Sequence, residues 1–229
     1  MIVSHQHRFV FVKTRKTAGS SIEAALSRIA GPDAVVTPLL EELPDHRPRN
    51  WRASFNPVPE LLANPRAARW TLKQWRRRMA FYSHLPAEPA RSRLGRDRWD
   101  EYFTFCFERD PWDKVTSMYF WNTRQDPSPP PFEVWVERRR RELSDWHLYT
   151  SRGRIIVDFV GRYERLEADL RSALDQAGVA DPIELPRLKS GTRRGPVAFT
   201  PRAREIVLDV FAREFEAFGY PTEPASAQP

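Results

Sequence analysis

Two lysines and two serines crowd into one short stretch near the start of the chain, RFVFVKTRKTAGSSIEAAL, residues 8–26. An apolar run leads into small and basic residues, and those lead into a helical pattern. A strand that delivers a small-residue loop to a helix N-terminus makes a site for an anion. The first N–H groups of the helix lack backbone partners, and the helix dipole favours negative charge. Ala18 and Gly19 let a phosphate approach the backbone, Lys16 has the reach to meet its oxygens, and Ser20 and Ser21 add hydroxyl donors. The order is not that of a Walker A loop, in which glycine precedes the lysine. This loop is also shorter, which suits a terminal phosphate better than a wrapped triphosphate. An ordinary capped helix that happens to be basic is the plain alternative.

A second polar cluster follows a second apolar run, in CFERDPWDKVTSMYF at 106–120. Arg109 stands at the strand end and Ser117 lies further along the helix that Pro111 opens. Ligands of open α/β sheets bind outside the carboxyl ends of the strands. Two strand ends with anion-binding groups therefore suit a ligand that carries two separated anionic groups.

The elements that must position these groups are legible in outline. RFVFV reads as a buried strand without alternation. SSIEAALSRIA reads as a helix with Ser20 as N-cap and Glu23 at capping-box spacing. Residues 32–60 are proline-rich and expected to be irregular. Residues 65–80 read as a basic helix with Trp70 and Trp75 interleaved, and AFYSH as a short strand ending at His84. A helix at 86–95 precedes the strand EYFTFCFERD and the helix from Pro111. DPSPPP is a stiff linker, followed by a helix from Phe132, strand signals at 155–162, and the helix EADLRSALDQAG. A basic loop LPRLKSGTRRGP precedes one long amphipathic helix from the Thr200 cap to Gly219. Alternating strands and helices predict an α/β fold with a central, mostly parallel sheet flanked by helices.

The chain has 229 residues, a net charge of +7 and an isoelectric point near 9.9. We expect a single domain over 1–220, with an acceptor-side insertion at about 32–80, and a disordered tail at 221–229. The basic balance favours anionic partners. Arginine outnumbers lysine 32 to five, yet two lysines fall in the opening turn, which points to a need for an ammonium there. Cys106 is the one cysteine. It lies in an apolar run and reads as a buried small hydrophobe, and a disulfide framework or cysteine metal site within the chain is excluded. No apolar stretch reaches the roughly 18 residues of a spanning helix. With no signal peptide legible, the expectation is a cytoplasmic protein in a reducing compartment.

KTAGSS (16–21) and RDPWDKVTSMY (109–119), taken in this order, resemble the two signature segments of sulfotransferases that use 3′-phosphoadenosine 5′-phosphosulfate (PAPS). The similarity continues in FVGRYERLEADLRSALDQAG, LPRLKSGTR and REIVLDVFAREFEAFGY, and is weakest at about 32–80. Relatives of the carbohydrate type have proline before the lysine where this chain has Arg15. Lys16 is preferred to Lys13 as the matching lysine because of its spacing to Gly19 and Ser20.

The resemblance implies a three-layer fold of the P-loop NTPase kind and sulfuryl transfer from PAPS to an acceptor hydroxyl, releasing 3′,5′-adenosine bisphosphate, with no metal required. Lys16, Thr17, Ala18, Gly19, Ser20 and Ser21 would hold the 5′-phosphosulfate, and Arg109 and Ser117 the 3′-phosphate. Lys189, Ser190 and Arg193 would sit in a segment that closes over the donor. His84 is the implied general base and Glu23 its rival, although capping already accounts for Glu23. The expected acceptor is a carbohydrate in preference to a lipid or small molecule. No transmembrane anchor is expected, and peripheral membrane contact through the basic Trp-bearing segment remains open. The competing readings are an ATP-using kinase and a basic nucleic-acid-binding protein, the latter suggested by arginines interleaved with Trp.

Overall fold

The structure is a computed structural model that describes residues 1–40, 43, 46–186, 195 and 197–224. The elements in chain order are β1 (Ile2–Ser4), β2 (Phe9–Phe11), α1 (Gly19–Ile29), β3 (Val35–Val36), α2 (Val58–Ala63), α3 (Ala68–Arg76), α4 (Ala87–Leu94), α5 (Arg96–Glu101), β4 (Phe103–Glu108) and α6 (Pro111–Asn122). They continue with α7 (Phe132–Arg139), α8 (Trp146–Tyr149), β5 (Thr150–Ser151), β6 (Arg154–Ile155), β7 (Phe159–Arg162), α9 (Leu166–Gln176), α10 (Pro201–Val210) and α11 (Ala212–Phe218). Two compact units result: 1–108 with 147–188, and 109–146 with 189–229.

The first unit is built on a five-stranded sheet in the order β3-β1-β2-β4-β7. β2 pairs with β4 and β4 with β7 in parallel, whereas β1 pairs antiparallel with both β2 and β3. The sheet is therefore mixed, not mostly parallel as its sequence suggests. The antiparallel part comes from two very short strands, Ile2–Ser4 and Val35–Val36, too brief to show a period. Beneath the middle of the sheet Phe9, Phe11, Phe105 and Phe107 are wholly buried. Their rings form a ladder, with centroids 5.9 Å apart for Phe9 and Phe105 and 5.4 Å for Phe11 and Phe105. Ile22 and Leu26 of α1 and Leu170, Ala173 and Leu174 of α9 belong to the same core. Because β4 has a neighbour on each side and helices over it, its apolar run is continuous, as buried strands require. Cys106 is buried within it.

AFYSH does not form a strand. Phe81 N–H instead donates to the Trp51 carbonyl and Ala53 N–H to the Arg78 carbonyl, and positive φ angles of 53° at Arg78 and 59° at His84 turn the chain out of extended geometry. Residues 65–80 are helical over the 3₁₀ turn Pro65–Ala67 and α3.

The second unit packs α6, α7, α10 and α11 around Trp112, Tyr119, Phe132, Trp135, Phe211 and Phe215. Asp110 caps α6 through the N–H groups of Trp112 and Asp113, with Pro111 in the first turn. Thr200 caps α10 by accepting from Ala203 N–H at 3.2 Å. The segment expected as one long helix is two. Phe211, with φ −105° and ψ 19°, ends α10 and opens α11 while its ring stays in the core. Gly219 stops α11 at a left-handed φ of 61°. Lys114 and Asp145 form a fully buried ion pair of 2.9 Å in this unit.

At Gly161 of β7 the core has no room for a side chain. A Cβ on Gly161 would stand 2.5 Å from Cε1 and 2.8 Å from Cδ1 of the buried Phe107 ring. Gly161→Ala is expected to lower stability by about 1–3 kcal/mol, the usual cost of overpacking. Urea denaturation measures it, and an unchanged midpoint would mean that the ring does not lie across Gly161.

Candidate active site

The loop between β2 and α1 is fixed to β4 at its β2 end. Val12 N–H donates 2.8 Å to the Phe105 carbonyl, and the Thr14 hydroxyl donates to the Phe107 carbonyl. Thr17 and Thr14 hydroxyls lie 2.9 Å apart, so Thr17 is turned inward and buried. From Lys16 to Gly19 the backbone alternates in hand. Lys16 has φ 62° and Ala18 φ 58°, whereas Thr17 and Gly19 lie outside the left-handed region. Alternation of this kind gathers successive N–H groups into a concave anion-binding nest. The nest runs directly into the first turn of α1, so the two sources of N–H groups join.

The helix start differs from the capping-box expectation. α1 begins at Gly19, with Ala18 in the left-handed cap position and no side-chain cap. Ser20 Oγ instead accepts from Lys13 Nζ at 3.3 Å. Glu23 points into the interior and is wholly buried. It takes the Lys13 ammonium at 2.5 Å, the Thr37 hydroxyl at 2.9 Å and the Met1 amino group. Burial alone would raise the Glu23 carboxyl. The ammonium groups of Met1 and Lys13 overcome that and hold it at about 2. Burial pushes the Met1 amino group the other way, from 8.0 to about 6, against the pull of Glu23. A carboxylate so placed is a poor proton acceptor, so its part is structural: it fixes Lys13 beneath the loop. Lys13 also explains Gly19, since a Cβ there would meet Lys13 Cγ at 2.7 Å. Lys16 is left partly exposed at the loop surface.

His84 comes to the same loop. Its Nδ1 lies 3.0 Å from the Lys13 carbonyl. A carbonyl oxygen only accepts, so Nδ1 carries the proton and the lone pair of the neutral ring is on Nε2. Sequence placed His84 at a strand end. The structure places it in a turn, with the left-handed backbone noted above.

In the second unit Arg109 is the first residue after β4 and is nearly buried. Its Nε and Nη2 reach Asp113 Oδ2 at 3.3 and 2.7 Å. α6 is buried on almost every side over its first three turns. Asp113, Ser117 and Trp121, spaced four apart, form its one partly exposed stripe. Arg109 and Ser117 therefore share a line along the helix, with the Asp113 carboxylate between them. Asp113 was missed in sequence, although its i, i+4 spacing to Arg109 was available. The Lys13–Glu23 pair was missed because no periodicity links a strand end to the interior of the next helix. Lys189, Ser190 and Arg193 lie outside the described residues. Among those described, no three His, Cys, Asp or Glu side chains come together as a metal site would need.

Residues 1–221 match a family model described as the sulfotransferase family. The chain belongs to that family. Its two motifs lie inside the matched region, and the chemistry of the family is the transfer of a sulfuryl group. This sulfotransferase is also similar to an uncharacterised protein of Archaeoglobus fulgidus, 34% identical over 106 residues, which span 44% of this chain and 88% of that one. No solved structure matches the chain.

The sulfotransferase loop rests on the Glu23 contacts, so their loss is expected to be felt in stability first. Glu23→Ala leaves buried positive charge unpaired and should cost about 3–5 kcal/mol. The depressed carboxyl also fixes a pH dependence. Its stabilisation is complete above its ordinary value of 4.5 and is lost as pH falls toward about 2. Denaturant unfolding should therefore weaken across that window, and a folded Glu23→Gln protein should show a flatter acid limb. Equal acid limbs would remove Glu23 as the linked group.

Proposed function

We propose that the protein transfers a sulfuryl group from PAPS to an acceptor hydroxyl, with a carbohydrate as the favoured acceptor. The observation that carries this reading is the meeting, at one loop, of an anion nest bearing Lys16 with an imidazole from a separate turn whose Nε2 holds the lone pair. Family membership supports the sulfuryl chemistry. The nest N–H groups of residues 18–21, with the Ser20 and Ser21 hydroxyls, would hold the 5′-phosphate end of the donor. The Thr17 hydroxyl, bonded inward to Thr14, would shape the loop without touching ligand. Arg109 and Ser117 would take the 3′-phosphate, and the donor would compete there with Asp113. Lys189, Ser190 and Arg193 would close over the donor.

In the transfer step His84 Nε2 accepts the acceptor's hydroxyl proton. The acceptor oxygen forms a bond to sulfur as the bond from sulfur to the 5′-phosphate oxygen breaks. The electron pair of that bond leaves on the phosphate of 3′,5′-adenosine bisphosphate, where Lys16 and the nest N–H groups meet the developing charge. Positioning and preset electrostatics carry such a displacement, as they do phosphoryl transfer. Glu23, already engaged by the Lys13 ammonium and the Met1 amino group, is the weaker choice of base. The kinase reading loses ground to family membership, because a Walker A order is absent.

Three substitutions test these roles. Lys16→Ala is expected to cut turnover by about 10²–10³-fold with the fold retained, as loss of an oxyanion donor does. Near-normal turnover would remove the loop assignment. Arg109→Ala should weaken binding of 3′,5′-adenosine bisphosphate by about 1.5–3 kcal/mol, measured by calorimetry, and ATP should bind less tightly than the bisphosphate. Unchanged affinity would dismiss Arg109. His84→Ala should lower turnover about 10²–10⁴-fold at saturating donor while leaving bisphosphate affinity unaltered. Loss of both together would make His84 a support of the loop and not the base.

A further inference from the structure

Eight large apolar side chains stand exposed among the described residues, and five fall within one stretch: Val58 and Leu62 on α2, and Trp70, Leu72 and Trp75 on α3. Leu62 is 78% exposed. The same stretch exposes Arg66, Arg69, Lys73, Arg76, Arg77 and Arg78, and no Asp or Glu occurs between residues 61 and 87. A surface helix ordinarily turns its apolar stripe inward. Here α3 buries Thr71 and Gln74 instead.

Arg93 of α4 accounts for this inversion. Its guanidinium is almost fully buried and donates to both Glu60 oxygens of α2 at 2.6 and 2.7 Å, to Gln74 Oε1 of α3 at 2.7 Å, and to the Ala80 carbonyl at 2.8 Å. Phe55 lies under its face, 4.0 Å from the guanidinium carbon. The inward positions of α2 and α3 thus satisfy a buried cation, and apolar residues are left to face outward on helices that are held in place.

We propose that this α2–α3 face rests on an anionic lipid surface. Exposed arginines and a lysine meet headgroup phosphates, half-exposed Trp70 and Trp75 suit the interfacial level, and Val58, Leu62 and Leu72 enter the acyl boundary. A soluble polyanion would engage the cations and the Trp faces but would leave those three aliphatic side chains in water. Among the described residues no helix is long and apolar enough to cross a membrane, so the contact lies in the plane of the surface. The inference stands apart from the transfer reaction.

The test is co-sedimentation of the full chain with vesicles of phosphatidylcholine alone or with about one-third phosphatidylglycerol, at about 0.1 M salt, where the Debye length is ~10 Å. Binding to the anionic vesicles alone is expected, with weakening as salt rises and quenching of Trp fluorescence by bromine-labelled lipid. Trp70→Phe with Trp75→Phe should remove that quenching. The charge reversals Arg69→Glu, Lys73→Glu and Arg76→Glu together should lower partitioning by at least about 10²-fold, from roughly fivefold per cation lost. Leu62→Ser should lower it by about tenfold with every cation in place. Absence of vesicle binding overturns the proposal. So does binding without quenching that Leu62→Ser leaves unchanged and free heparin abolishes, which would assign the face to soluble polyanions. If the triple variant fails to melt cooperatively, Leu62→Ser and the salt titration decide.

Discussion

Glu23 sits where the chain brings the Lys13 ammonium and the Met1 amino group into the interior, and the loop beneath which it lies is shaped by that contact. Lys13 has its stem packed against Gly19 and its nitrogen shared between Glu23 and Ser20. Remove the carboxylate and neither the lysine nor the first turn of α1 has a reason to stay where it is. The carbonyl of the same lysine holds His84. One buried ion pair therefore ties together the helix start, the left-handed loop residues and the imidazole. A pair so enclosed adds modest net stability and is costly only when broken. Its value is in fixing one arrangement of the loop.

The loop carries strain as well. Lys16 and Ala18 both lie in the left-handed region without being glycine, which costs of order 1 kcal/mol or more each. That strain persists because the loop's β2 end is bonded to the backbone of β4 and the helix at its other end is packed into the core. The N–H groups are consequently aimed before any ligand arrives, which is what preorganised charge stabilisation requires.

Much of this was legible in sequence, for reasons that can be named. β4 and α6 were clear because an apolar run, Asp110 and Pro111 agree with one another. KTAGSS and RDPWDKVTSMY were recognisable because their local order is fixed by what a backbone can do at a strand end. What sequence hid was non-local. β1 and β3 are too short to carry a period; β1 exists by pairing with β2, and β3 by pairing with β1. The capping-box pattern at Ser20 and Glu23 was present, but tertiary charge drew Glu23 inward and Lys13 took Ser20. His84 was rightly brought near the loop, yet by a turn and not by a strand. The basic helix 65–80 looked ordinary until the contacts of Arg93 with Gln74 showed why its exposed surface carries apolar residues beside the arginines.

The volumes around the lysines have a consequence for composition. In a chain that uses arginine at 32 positions and lysine at five, Lys13 and Lys114 are both enclosed, Lys13 against Glu23 and Lys114 against Asp145. An ammonium is compact and ends in one atom, whereas a guanidinium is a flat fork with five donors to satisfy. A buried site packed around an ammonium cannot admit the larger group without opening the core. At these two sites packing density therefore sets a limit on how far the preference for arginine can run.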